Sequence, residues 1–96
     1  MELDYESTSK MFSDCTCNYY VTNYDGKEYT LGEVIDYILS KKPAEFGYIY
    51  CDNYRLEYKE GKIIKGTRDK EFEKKIFICA YVNGGYGGMD YKMVTE

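Results

Sequence analysis

Apolar positions along this chain follow two different rhythms. Between Leu31 and Leu39 they recur every three or four residues (Leu31, Val34, Ile35, Ile38, Leu39), which is one face of a helix. Thr30 is a good N-cap and Glu33 lies three residues on, the spacing of a capping box. Lys41 and Lys42 suit the negative end of the helix dipole, and Pro43 stops it. Gly32 weakens the first turn by up to ~1 kcal/mol, too little to undo the prediction.

Elsewhere the rhythm is that of strands. Residues 18–24 (NYYVTNY) are aromatic and β-branched and end at the turn signal Asp25-Gly26. Residues 46–51 (FGYIYC) read as a strand, Asp52-Asn53 as a turn, and 54–59 (YRLEYK) as a second strand. In the latter Tyr54, Leu56 and Tyr58 alternate with Arg55, Glu57 and Lys59, giving one buried and one wet face. Glu60-Gly61 is a two-residue hairpin turn into a strand at 62–65. Residues 66–75 carry Phe72 as their one apolar anchor and read as a loop with room for a helical turn. Residues 76–82 (IFICAYV) are apolar on both parities, the mark of a central strand, with Ile78 in the core. Residues 83–88 (NGGYGG) read as a loop and 89–94 as the closing strand. Residues 1–17 lack either period and read as an irregular N-terminal arm, in which a short strand near Met11-Phe12 is the one regular feature the pattern allows.

The expected fold is therefore α+β: a single helix packed on a mostly antiparallel sheet of five to six strands, in the order β-α-β-β-β-β-β. Ninety-six residues suit one domain, with 1–17 as the arm and 18–96 as the compact core. With 44% hydrophobic and 31% charged residues the composition is that of a globular chain. No apolar run approaches the ~20 residues of a membrane span, so no membrane contact is expected. The opening MELDYESTSKMFSD is acidic and has no apolar core region, so no secretory signal is expected and the cytoplasm is the expected compartment.

The net charge of −4 is unevenly spread: residues 1–40 hold eight acids and two bases, and residues 41–75 seven acids and ten bases. The acidic total disfavours direct nucleic-acid binding, and the basic middle alternates with acids as a salt-bridged surface does. Four cysteines (Cys15, Cys17, Cys51, Cys79) show one Cys-x-Cys and two singletons, not the paired knuckles of a zinc site. Such a site would need Cys51 and Cys79 on one face with the arm folded over them. Free thiols are the expectation in a reducing compartment. With no histidine, the commonest general base at neutral pH is missing, and no enzyme or cofactor is expected.

Two features point to recognition instead. Four glycines in six positions at 83–88 match neither a phosphate-binding loop nor a dinucleotide fingerprint, because no helix follows. They do suit a recognition loop, with Asn83, Gly85, Tyr86, Gly87 and Asp90 as candidate binding residues and Tyr86 at the tip. The thirteen tyrosines, with Tyr48, Tyr50, Tyr54 and Tyr58 alternating in strands, leave aromatic residues on a sheet face the helix does not cover. The expected function is a small non-enzymatic protein-binding module whose partner is another protein or a second copy of this chain. One alternative is an acidic inhibitor or nucleic-acid mimic using the acids of residues 1–40 (Asp4, Glu6, Asp14, Asp25, Glu28, Glu33 and Asp36 among them). The other is a small enzyme or ligand-binding protein with a cysteine-dependent site.

Overall fold

A computed structural model describes residues 3–7, 17–23, 25–41, 46–85 and 87–96. The helix, α1 (Leu31–Lys41), starts as its sequence dictates. The Thr30 amide donates to Glu33 Oε1 at 3.0 Å and the Glu33 amide to Thr30 Oγ1 at 3.2 Å, the two reciprocal bonds of a capping box. Leu31, Val34, Ile35 and Ile38 are fully buried, each contributing ~1.5–3 kcal/mol of apolar burial. Leu39, at the edge of the same stripe, is half-buried against the core. Pro43 and Lys42 lie outside the described residues.

Among the described residues seven strands form one sheet: β1 (Leu3–Ser7), β2 (Cys17–Asn23), β3 (Phe46–Cys51), β4 (Tyr54–Lys59), β5 (Lys62–Lys65), β6 (Phe77–Gly85) and β7 (Gly88–Thr95). Their spatial order is β1-β2-β6-β7-β3-β4-β5, and every neighbouring pair is antiparallel except β3 with β7. The α+β arrangement of one helix on a mostly antiparallel sheet is thus the observed one. Its connectivity is a split crossover. β2 and β3 run parallel, which requires a long connection, and α1 supplies it. The β6–β7 hairpin then inserts between them, directly under the helix.

Four details differ from the sequence reading. Residues 3–7 form an edge strand on β2 rather than part of an irregular arm, because their partners lie at 19–23; the region of Met11-Phe12 lies outside the described residues. The glycine-rich segment is not a six-residue loop. Pairing continues to Gly85↔Gly88, so Asn83, Gly84 and Gly85 belong to β6, Gly88 to β7, and the connection is positions 86–87. β7, read as a closing strand, is the middle strand of the sheet. Finally, a register shift between Phe77 and Cys79 turns Phe77 into the core and leaves Ile78 47% exposed, reversing the core assignment of Ile78; a bulge breaks strict alternation locally.

The core lies between α1 and one face of the sheet. A cross-sheet row of Val82, Tyr91, Ile49 and Leu56, all buried, runs from β6 to β4 beneath the helix residues. Before the helix, the Phe77 amide donates to the Tyr29 carbonyl and the Leu31 amide to the Lys75 carbonyl, both at 2.8 Å, which ties the helix start to the entry of β6. A single 3₁₀ turn at Phe72–Lys74 closes that corner.

Candidate recognition surface

With the helix on one side, strand alternation puts the other parity of each strand on a face over which the described residues place no helix. Register places Tyr81, Lys92, Tyr50 and Arg55 in one row across β6, β7, β3 and β4. The next row holds Asn83 and Asp90 as cross-strand partners, then Tyr48 and its partner Glu57. Tyr81 is 50%, Phe46 46% and Tyr50 38% exposed, unusual values for large rings within strands.

The rings are held in place. Those of Tyr48 and Tyr50 lie 5.8 Å apart and tilted, and the Arg55 guanidinium sits 5.1 Å above the Tyr48 ring. Phe46 faces Gly88, where a Cβ would come within 2.8 Å of its ring, so the glycine makes space for the aromatic side chain. Charges on this face alternate in sign: Arg55, Glu57 and Lys59 on β4, Asp90 and Lys92 on β7. Arg55, Glu57, Lys65 and Gly66 outline a shallow depression at its β4–β5 end.

The candidate binding residues fall around this face rather than on a loop. Asn83 and Asp90 lie on it, in one row. Asp90 also has a structural task, because its Oδ1 accepts the Tyr48 amide at 2.9 Å and so takes a ladder position between β3 and β7. Gly85 ends β6, and Gly87 holds φ 84° in the turn. Tyr86 lies outside the described residues. Sequence reasoning named the tyrosines but missed Lys92 and Arg55, whose neighbourhood depends on the parallel β3–β7 pairing.

A second polar cluster lies at the helix N-terminus, away from this face. Glu73 is 5% exposed. Arg68 Nε donates to both its oxygens at 3.0 and 2.8 Å, while Arg68 Nη1 reaches Asp36 at 2.6 Å and Nη2 the Gly32 carbonyl at 3.3 Å. The Tyr54 hydroxyl donates to Glu73 at 3.3 Å. Glu73, and then Asp36, hold the guanidinium well above its usual range. Burial raises the Tyr54 phenol, with Cys51 and Glu73 adding to the effect. Gly32 fits here: a Cβ on it would lie 3.0 Å from Glu73 Oε1. The signal in the sequence was that glycine in a first helical turn.

The two cysteines whose side chains are described, Cys51 and Cys79, do not converge; Cys15 and the side chain of Cys17 lie outside the described residues. Cys51 shares the core-facing parity of Ile49, whereas Cys79 is on the opposite parity from Ala80 and Val82, so the one-face arrangement a zinc site would need is not formed. Burial pushes the Cys51 thiol up to about 11, away from the thiolate that nucleophilic chemistry uses. Among the described residues no group of three Cys, Asp or Glu side chains is arranged to hold a metal ion, and no helix is long and apolar enough to cross a membrane. No known protein family, curated protein or solved structure matches this chain.

Proposed function

We propose that this chain is a small protein-binding module acting through the helix-free face of its sheet. The observation that carries the reading is the partial exposure of Phe46, Tyr50 and Tyr81 together on that face. Aromatic residues with low side-chain entropy, ringed by polar groups, are what protein interfaces select. The alternating charges of Arg55, Glu57, Lys59, Asp90 and Lys92 suit a mixed-charge protein surface better than a phosphate backbone, which repels the carboxylates. Several acids of residues 1–40 are meanwhile engaged within the molecule: Asp25 with Tyr29, Glu33 with Thr30 and Asp36 with Arg68. That weakens the case for a charge-driven mimic.

The test is site-specific photocrosslinking in the cell from a benzoylphenylalanine at position 50, compared with position 36 on the helix surface. A crosslinked protein specific to position 50, lost on Tyr81→Ser and retained at high salt, supports the reading. Equal crosslinking from both positions, or none from position 50, overturns it.

A further inference from the structure

We infer that the partner of this face is an acidic segment of another protein, laid over β3 and β4 with its carboxylates among Arg55, Lys59, Lys62 and Lys65. The inference rests on the protein-binding reading above and names the chemistry of its partner.

The support is the strand register. Phe46, Tyr48 and Tyr50 form a column on β3, and opposite them on β4 stand Lys59, Glu57 and Arg55 in that order. On β5, Lys62 is the partner of Lys59 and Lys65 the partner of Glu57, so both lie on the same face. The aromatic column is thus bordered on one side by four cations and one carboxylate, and all four cations are exposed. Lys59 and Lys62 face each other directly across the hairpin, a like-charge pair that weakens a sheet. Among the described residues neither has a carboxylate partner, and Glu60 in the turn between them is no exception. A lysine on β5 alone would guard this edge strand against unwanted pairing. A second one opposite it on β4 adds repulsion without adding protection, and an anion seated between the two relieves it.

Shape supports the same assignment. Gly66 holds φ 98°, and a Cβ on it would fall 2.4 Å from the Arg55 carbonyl oxygen, so the chain leaving β5 passes tightly against the main chain of β4. With Arg55, Glu57 and Lys65 it outlines the depression at this end of the face, which gives the cations a recess to line. Glu57, between Lys59 and Arg55, selects the kind of anion. A phosphate chain is charged at every unit and meets that carboxylate, whereas a peptide sets an uncharged residue there and apolar residues over Phe46 and Tyr50. Exposed cations act chiefly on the rate of association and the choice of partner. The rings hold the complex, so contact forms more slowly in salt but persists.

The test is Lys62→Glu, read in two ways. It turns the like-charge pair with Lys59 into an opposite-charge pair, so the Tm should rise by a few degrees. The binding probe is a short synthetic peptide in which glutamate alternates with leucine, followed at low ionic strength by amide NMR shifts of the isotope-labelled chain. Wild type should show shifts centred on Phe46, Tyr50, Lys59, Lys62 and Lys65. Lys62→Glu should weaken that binding roughly fivefold, and Lys62→Gln by less. A gain in stability with a loss of binding is the signature of a charge kept for a partner. Four results overturn the inference: no shifts at these residues, equal binding by Lys62→Glu, a Tm lowered by Lys62→Glu, or tighter binding of either control. The controls are the same peptide with lysine in place of glutamate, and oligothymidylate, whose tighter binding would hand the patch to phosphate. Crosslinking from position 50 separates this failure from that of the wider reading. A crosslinked protein beside a failed peptide titration removes the acidic partner and keeps the binding face, and failure of both removes both.

Discussion

The hydroxyl of Tyr58 on β4 donates to the main-chain carbonyl of Met89 on β7 at 2.8 Å, reaching over the intervening strand β3 at Gly47. Gly47 is the cross-strand partner of Tyr58. A Cβ on Gly47 would fall 1.8 Å from the Met89 carbonyl oxygen, so the absence of a side chain is what lets the strands meet. Gly47→Ala must push β3 away from β7 at the sheet centre, and loss of cooperative thermal unfolding is the expected result. Tyr58→Phe removes only a buried hydrogen bond, at ~1–2 kcal/mol by urea denaturation. A Gly47→Ala protein as stable as wild type would show that the strands are not in this register.

Arg68 and Glu73 form the buried ion pair of the molecule's second corner, and their removal should be asymmetric. Arg68→Ala strands the Glu73 carboxylate away from water and should cost ~3–5 kcal/mol. Asp36→Ala, which removes the exposed end of the same network, should cost less than ~1 kcal/mol. Gly32→Ala should lose stability instead of gaining the ~1 kcal/mol of helix propensity, since the added methyl presses on Glu73. Equilibrium urea unfolding of the three variants orders these effects.

The β4–β5 turn carries a removable strain. Glu60 holds φ 51° and Gly61 φ 78°, the two positive values of a type I′ turn. A glutamate is disfavoured there, and Glu60→Asn should raise stability by about 0.5–1 kcal/mol, visible as a higher Tm. Gly61→Ala should lower it, because its φ is positive and a Cβ would lie 2.9 Å from the Leu39 carbonyl oxygen.

Tyr29 donates to Asp25 Oδ2 at 2.5 Å. The bond to the carboxylate pushes the Tyr29 phenol up to about 12, and the same bond holds the Asp25 carboxyl below its usual value. Between pH 10 and 12 the folded chain keeps a proton on Tyr29 that the unfolded chain releases. Stability from this pair is therefore full below pH 10 and falls as pH rises through that window. At the acidic end it is lost as pH falls through the lowered Asp25 value. Titration of ring-labelled tyrosine by NMR should show, apart from the raised Tyr54 signal, a late resonance that is absent in Tyr29→Phe and shifted back toward pH 10 in Asp25→Asn.

Much of this fold was legible because its cues are local. The capping box at Thr30 and Glu33, the apolar stripe of α1, and the bounds of β3, β4 and β5 depend on neighbours a few residues away. The misses share a different cause. Residues 3–7 become a strand only beside residues 19–23, and β7 becomes central only by pairing in parallel with β3, some forty positions earlier. Glycine-rich residues 83–88 carry turn propensity, yet Phe46 and the β2 ladder hold most of them in extended pairing. Ile78 was misplaced because a one-residue bulge is invisible to a period of two. At the candidate surface, Asn83 was named from the glycine-rich segment and Asp90 from the strand that follows it, while Lys92 and Arg55 required knowledge of strand order.

The central position of β7 bears on how the chain reaches its native state. β1–β2 and β3–β4–β5 are each built from neighbouring strands, but they are joined only by β6 and β7, which come last in sequence. Until that hairpin docks, α1 has no β6–β7 surface to cover, and the facing edges of β2 and β3 are unpaired. Closing the sheet late, through contacts of long sequence separation, makes folding slow relative to its size and leaves two open edges in the meantime. A ribosome-bound chain lacking β7 should therefore hold two half-sheets, and their association into one cooperative unit would wait for the final strand.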